Sequence, residues 1–182
     1  MAIRRVVTGH GEQGQAVVLS DGEVARDIAF QHIPGFRAAL VWATAPQHGV
    51  PADQYDAGAG AASWVPESDG SRLLVITFPP DKVMLAEAFD PLAAGAEYAA
   101  VMPGLAETFE RQHPGMHTTD SVDYGVVLDG DIVLELDDGR EIQFAQHDIV
   151  IQQGTRHAWR NRSDRPATVL FVLLGAQRTL PA

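Results

Sequence analysis

The sequence predicts an all-β protein, a small barrel or jelly roll, and three observations carry that expectation. Short runs of β-branched and aromatic residues follow one another through the second half of the 182-residue chain, each bounded by turn residues, which is the pattern of closed antiparallel folds. Ile132, Leu134 and Leu136 alternate with Val133, Glu135 and Asp137, the period of a strand with one buried face. Asp129-Gly130 and Asp138-Gly139 supply the positive backbone dihedrals favoured in tight hairpin turns.

Taken in order, residues 1–80 read as outer strands and a loop. Residues 16–19 and 36–42 are short β-like runs separated by the turn signals Asp21-Gly22 and Pro34-Gly35. Residues 46–70, rich in Pro, Gly, Ala and Asp and without a clear period, read as a surface loop. Residues 72–78 form a strong buried-strand pattern stopped by Pro79-Pro80, which cannot continue a central ladder. In residues 83–112 the composition turns helical, with breaks at Pro91 and Pro103, so two short helices are expected, serving as packing or as a lid. Leu105 and Phe109, four apart, would share a face. From Val122 the chain reads as strands throughout, with further short runs at 141–144, 148–151, 157–161 and 167–174. The whole of 1–182 is expected to be one domain.

Composition narrows the function. A hydrophobic content of 46% with 20% charged residues is ordinary for a globular protein. The formal charge of -11, from 24 acidic against 13 basic residues with Lys82 the sole lysine, argues against nucleic acid or anionic lipid as a partner and for a small molecule. Without cysteine there is neither a disulfide framework nor thiolate chemistry. The N-terminal residues lack the continuous apolar core of a signal peptide, and no run approaches the roughly 18 apolar residues that span a bilayer. A soluble, cytoplasmic protein is expected.

Two histidine-containing blocks carry the chemistry. The first runs from His117 through Thr119, Asp123 and Tyr124 to Gly130; the second runs from His147 through Gln152, Gly154, Arg156, His157 and Trp159 to Arg160 and Asn161. Positions 117, 119 and 123 have even separation and would share a face of a regular strand, with His157 contributed by a neighbour. Trp159, two residues beyond His157, would share its inward face and wall a substrate site. Arg156 and Arg160 are candidates to clamp a carboxylate or enolate. Tyr124 is a further candidate for substrate contact, although strict alternation turns it away from Asp123.

These blocks resemble the two motifs of the cupin superfamily, approximately G-x5-H-x-H-x3,4-E-x6-G and G-x5-P-x-G-x2-H-x3-N, in its small single-barrel form. His117 falls on the first histidine, Thr119 on the second, Asp123 on the glutamate and Gly130 on the closing glycine. Gly154, His157 and Asn161 match the second motif, Gln152 stands in place of its proline and His147 in place of its opening glycine. The resemblance covers residues 115–175 and implies a cupin β-barrel with added N-terminal strands. It also implies a divalent transition metal (Fe, Mn, Ni or Zn) on His117, Asp123 and His157, because Thr119 removes the family's third imidazole; a metal-free pocket using the same residues for acid/base work is the alternative.

What the resemblance implies for activity is a lyase, a decarboxylase or dehydratase, acting through an enolate-like intermediate on an oxygenated organic acid or ketide-like substrate. His117, Asp123, His157 and Arg156 would be catalytic, and Thr119, Trp159, Arg160 and Tyr124 would contact substrate. Similar proteins with the same histidine-threonine first motif occur beside biosynthetic or aromatic-degradation enzymes. The alternatives are an Fe(II)-dependent dioxygenase or oxidoreductase, permitted by two histidines and a carboxylate, and a ligand-binding cupin without catalysis. A homodimer is expected, with residues 38–42 exposed on a lone barrel and covered by a second copy.

Overall fold

The structure, a computed structural model, describes residues 2–50 and 56–179. Eleven strands are described: β1 (Arg4–His10), β2 (Ala16–Glu23), β3 (Asp27–Ala29), β4 (Arg37–Thr44), β5 (Ser71–Phe78), β6 (Ser121–Asp129), β7 (Ile132–Glu135), β8 (Glu141–Phe144), β9 (Ile149–Gln153), β10 (Ala158–Arg160) and β11 (Ala167–Gly175). They form a six-stranded sheet in the order β3-β4-β5-β11-β6-β9, a three-stranded sheet β10-β7-β8, and the separate hairpin β1-β2. Every pairing is antiparallel. The all-β expectation holds, and the strands from 122 onward fall close to where alternation and turn residues placed them.

Register explains which side chains meet inside. On β6 the inward residues are Ser121, Asp123, Gly125 and Val127, all buried, while Tyr124 and Leu128 are exposed. Asp123 lies opposite Gln152 of β9 on one side and Leu173 of β11 on the other; Gly125 lies opposite Phe171, and Phe171 opposite Leu74 of β5. A Cβ on Gly125 would sit 3.2 Å from the Phe171 ring and 2.6 Å from Val150, so glycine here is what lets the ring lie across the sheet. Phe36, Leu40, Trp64, Met102 and Val169 complete the main core.

The turns follow the backbone chemistry of their residues. Gly130 has φ of 80° and the carbonyl of Pro166 would lie 2.7 Å from an added Cβ, so both dihedral and space demand glycine. Asp138 and Gly139 have φ of 57° and 69°, as a tight hairpin requires. His147, which stands where the cupin motif has its opening glycine, itself adopts φ of 74°, so the backbone keeps the glycine's conformation although the side chain has changed.

Four expectations are corrected. Asp21-Gly22 is not a turn but part of β2, where Asp21 pairs with Val6 and its carboxylate takes two hydrogen bonds from Arg4 at 2.7 Å. Residues 46–70, of which 51–55 lie outside the described residues, are not merely a surface loop: helix α1 (Ala57–Gly60) is capped by Asp56, and Trp64 is completely buried in the core. The segment 83–112 holds one α-helix, α2 (Pro91–Val101), and one 3-10 turn (Ala106–Thr108). Pro91 opens α2 rather than breaking a helix, because proline lacks only an N–H that the first turn leaves unpaired, and Asp90 caps the amides of Leu92 and Ala93. Finally, residues 38–41 are buried rather than exposed, since β4 runs between β3 and β5 inside the sheet. The middle strand β7 also departs from simple alternation: Ile132, Val133 and Leu134 are all buried.

Among the described residues no helix is long and apolar enough to cross a membrane.

Candidate functional site

The site forms where the two histidine blocks touch. His117 and His157 are joined as an isolated antiparallel bridge: the amide of each donates to the carbonyl of the other, at 2.9 and 3.0 Å. Their rings face each other with centroids 4.2 Å apart. Phe109, bridged to His117 on its other side, stacks on its imidazole at 4.5 Å and 26°, and Trp159 meets His157 edge-on at 6.1 Å.

Each ring is oriented by its own chain. His117 Nδ1–H donates to the Gly115 carbonyl at 3.1 Å and His157 Nδ1–H to the Thr155 carbonyl at 2.9 Å. A carbonyl can only accept, so both imidazoles carry the proton on Nδ1 and present a bare lone pair on Nε2. Burial lowers the pKa of both rings. His157 is pushed to about 3, first by burial and then by the charge of His117, against the pull of its Thr155 bond.

Both histidines open into a cavity of about 210 Å³, below the roughly 300–1,000 Å³ of drug-sized sites. Its walls are apolar and largely aromatic, with Phe36, Leu74, Tyr98, Phe109, Trp159 and Phe171 among them. Asp123, Thr119 and Gln152 supply the polar part of the lining and Arg160 stands at one side. The segment before the barrel motifs thus builds a wall: Tyr98, Leu105 and Phe109 all line the cavity.

Asp123 is buried and held by hydroxyls rather than by a cation. Ser121 Oγ donates to Asp123 Oδ1 at 2.6 Å and lies 3.0 Å from Thr119 Oγ1, while Thr119 Oγ1 approaches Asp123 Oδ2 at 3.5 Å. Burial raises the carboxyl pKa to about 6, with the Ser121 and Thr119 bonds opposing the rise. Replacement of the motif's second histidine by Thr119 thus turns a would-be ligand into part of the carboxyl's hydrogen-bond net.

This arrangement does not fit the metal that the fold implies. The two imidazoles lie side by side, but Asp123 is engaged by Ser121 and Thr119, and among the described residues no group of three or more His, Cys, Asp or Glu side chains is disposed to hold an ion.

Two further site expectations are corrected. Arg156 does not reach the cavity; its guanidinium pairs with Glu110 at 2.6 and 2.8 Å and with Asp137 at 2.7 Å on the outside of the barrel. Tyr124 is 43% exposed on the outer face of β6, as its odd position relative to Asp123 requires. Arg160 borders the cavity but is committed, with Nε to Glu135 at 2.6 Å and Nη2 to the Pro114 carbonyl at 2.9 Å. Thr119 and Trp159 lie in the lining as expected. Sequence reasoning passed over Gln152, Ser121 and Tyr98. Gln152 is buried between exposed Ile151 and Gln153, which nothing in its composition announces; the signal for Ser121 was its even spacing from Asp123.

The described strands thus enclose two histidines, a carboxyl and an aromatic-walled cavity. Comparison with known proteins places a cupin domain in this part of the chain: residues 100–173 match the family described as Cupin domain. The chain is 49% identical over 63 residues to Phomopsin biosynthesis cluster protein C' of Diaporthe leptostromiformis, a match covering 34% of this chain and 33% of that protein. It is 36% identical over 62 residues to the Cupin-domain-containing oxidoreductase virC of Hypocrea virens, covering 32% of each. The chain thus spans about a third of the length of these curated relatives. Among solved structures it is similar to a cupin family protein with a double-stranded beta-helix fold from Methanocaldococcus jannaschii, at 12% identity and a TM-score of 0.38, covering 60% of this chain and 73% of the other.

Proposed function

We propose that this cupin is a small-molecule lyase that works by proton transfer, removing water from a β-hydroxy carbonyl compound through an enolate-like species. The observation that carries the reading is the pairing of His117 and His157 with their Nδ1 protons tied to backbone, which leaves both Nε2 atoms unprotonated on rings that line an apolar cavity also holding a carboxyl of raised pKa. Titratable groups displaced in different ways in one cavity are the mark of an acid and base pair.

His117 Nε2 takes the proton from the carbon next to the carbonyl. The C–H electrons form the new double bond as the C–O bond to the hydroxyl breaks, and the protonated Asp123 carboxyl delivers its proton to that oxygen, so water leaves. His117 then returns its proton to solvent and Asp123 takes one up; no electrons enter or leave. Apolar walls strengthen these steps by excluding competing water.

The test is to follow enone absorbance with a panel of β-hydroxy ketones and chelator-treated protein. Enone formation that is lost in Asp123→Asn and His117→Gln supports the proposal; formation that requires an added metal ion overturns the proton-transfer route. Tight binding with no product would instead mark a ligand-binding cupin.

Similarity to the Cupin-domain-containing oxidoreductase of Hypocrea virens favours one second reading, a redox enzyme. Oxygen uptake separates the two, because turnover under strict anaerobiosis eliminates an oxygenase.

A further inference from the structure

We propose that the molecule this cavity takes is electrically neutral, about one ring in size, and presents a hydroxyl or comparable hydrogen-bond donor to the two histidines, so that carboxylic acids are excluded as substrates. The inference rests on the reading that this cavity is the substrate site, and deepens it.

Charge inside the cavity decides the point. Its three formally charged lining residues are Asp81, Asp123 and Arg160. Asp81 is matched by Arg162 at 3.2 Å and also accepts from the Asn161 amide. Arg160, the cation, is matched by Glu135 at 2.6 Å, its Nη2 serves Pro114, and its Nη1 packs under Gly115, 2.7 Å from where a Cβ would stand. Among the described residues no positive charge in the lining is therefore left over for an anion, while Asp123 lines the same space.

Hydrogen-bond polarity points the same way. With both Nδ1 protons spent on backbone carbonyls, His117 and His157 offer only acceptors. The Ser121 hydroxyl is spent on Asp123. A carboxylate entering here would lose its hydration and meet two lone pairs and a carboxyl, and the neutral donors of Thr119, Gln152 and Tyr98 do not replace the counter-charge that a buried anion needs. A neutral hydroxyl meets two acceptors 4.2 Å apart between ring centroids, and the rest of the molecule meets Phe109, Trp159 and Phe171. This favours the ketide-like substrate over the organic acid, and dehydration over decarboxylation.

Three ring-sized probes separate the terms: phenol, neutral with a donor; anisole, neutral without one; and benzoate, an anion. Each is titrated to millimolar concentration at pH 7.5 into the full chain while the imidazole Hε1 resonances of His117 and His157 are followed. Phenol is expected to bind about tenfold more tightly than anisole, the worth of one well-placed hydrogen bond, and benzoate to leave both resonances unmoved. Benzoate binding as tightly as phenol, or no probe moving either resonance, overturns the inference. Turnover of a β-hydroxy ketone together with tight benzoate binding would sink this inference alone, whereas phenol-selective binding with no dehydration in any assay would sink the proposed activity alone.

Discussion

His117 and His157 hold each other in place through the main chain, exchanging both backbone hydrogen bonds, and only then bring their rings to 4.2 Å. Placement and chemistry are therefore separable, since the bridge does not depend on either imidazole. His117→Gln and His157→Gln are each expected to keep the folded circular dichroism spectrum. His117→Gln should lower turnover by about 10²–10⁴-fold, the usual contribution of a positioned base. A variant that keeps more than a tenth of wild-type turnover would remove His117 from the role of base.

Asp123 gives the protein a pH signature. Its carboxyl pKa is raised from 3.8 to about 6, with burial the main cause, so between those values the folded chain binds the proton that the unfolded chain has released. Its contribution to stability is thus most favourable below pH 4 and is lost as pH rises through 6, by about 2–3 kcal/mol. His157 acts in the other sense: its pKa falls from 6.5 to about 3, so stability is lost as pH falls below 6.5. Asp123→Asn removes the first contribution alone. Urea denaturation should find the variant more stable than wild type at pH 8, with the difference vanishing at pH 4. Equal stabilities at pH 8 would contradict the buried, unpaired carboxyl.

What could be read from the sequence divides along physical lines. Strand alternation and turn glycines are local, so β6, β11 and the Asp138-Gly139 hairpin were legible, and motif spacing was enough to bring His117 to His157. Alternation also put Asp123 inside and Tyr124 outside. Arg156 was misplaced because its partner Glu110 lies 46 residues away in sequence, and an arginine's reach gives no periodic signal. Trp64 was hidden in a Pro- and Gly-rich segment that carries no period, though its size alone favours burial. The carboxyl's partners were not legible for a finer reason: even spacing fixes the face that Asp123 shares with Ser121 and Thr119, but not which of its neighbours the carboxyl engages.

The contacts of Arg156 point to positioning rather than to chemistry. By pairing with Glu110 it ties the residues before the barrel to the second histidine block, and Phe109, adjacent to Glu110, is the ring stacked on His117. Arg156→Ala should raise KM several-fold, leave the pH dependence of kcat unchanged, and accelerate hydrogen exchange at residues 106–112. A loss confined to kcat with unchanged exchange would return Arg156 to the chemistry.

Asn161 closes the second block without touching the cavity. It is 1% exposed; its amide donates to the carbonyls of Phe78 and Arg165 at 2.9 and 2.8 Å, and its carbonyl accepts from the Ser163 amide and hydroxyl at 3.0 and 2.7 Å. Asn161→Ala strands these groups, and leaving buried partners unsatisfied costs about 2–4 kcal/mol in total. Chemical denaturation should show that loss, with turnover of the remaining folded protein near wild type. A loss below about 0.5 kcal/mol, the scale of an ordinary surface change, would show that water replaces the asparagine.

We propose that two copies assemble as a homodimer, through a different surface from residues 38–42. The six-stranded sheet ends at β9, where Ile149 and Ile151 are 64% and 55% exposed and Ile151 stands opposite exposed Tyr124. An apolar edge strand with free backbone groups is a template for another strand, and a two-fold axis would let β9 of one copy meet β9 of the next while both apolar faces are covered. Sedimentation at micromolar concentration should give twice the chain mass, and Ile149→Lys with Ile151→Lys should give the monomer with its cavity intact, as read by phenol binding. A wild-type monomer, or a double variant that remains dimeric, rules out this edge as the interface.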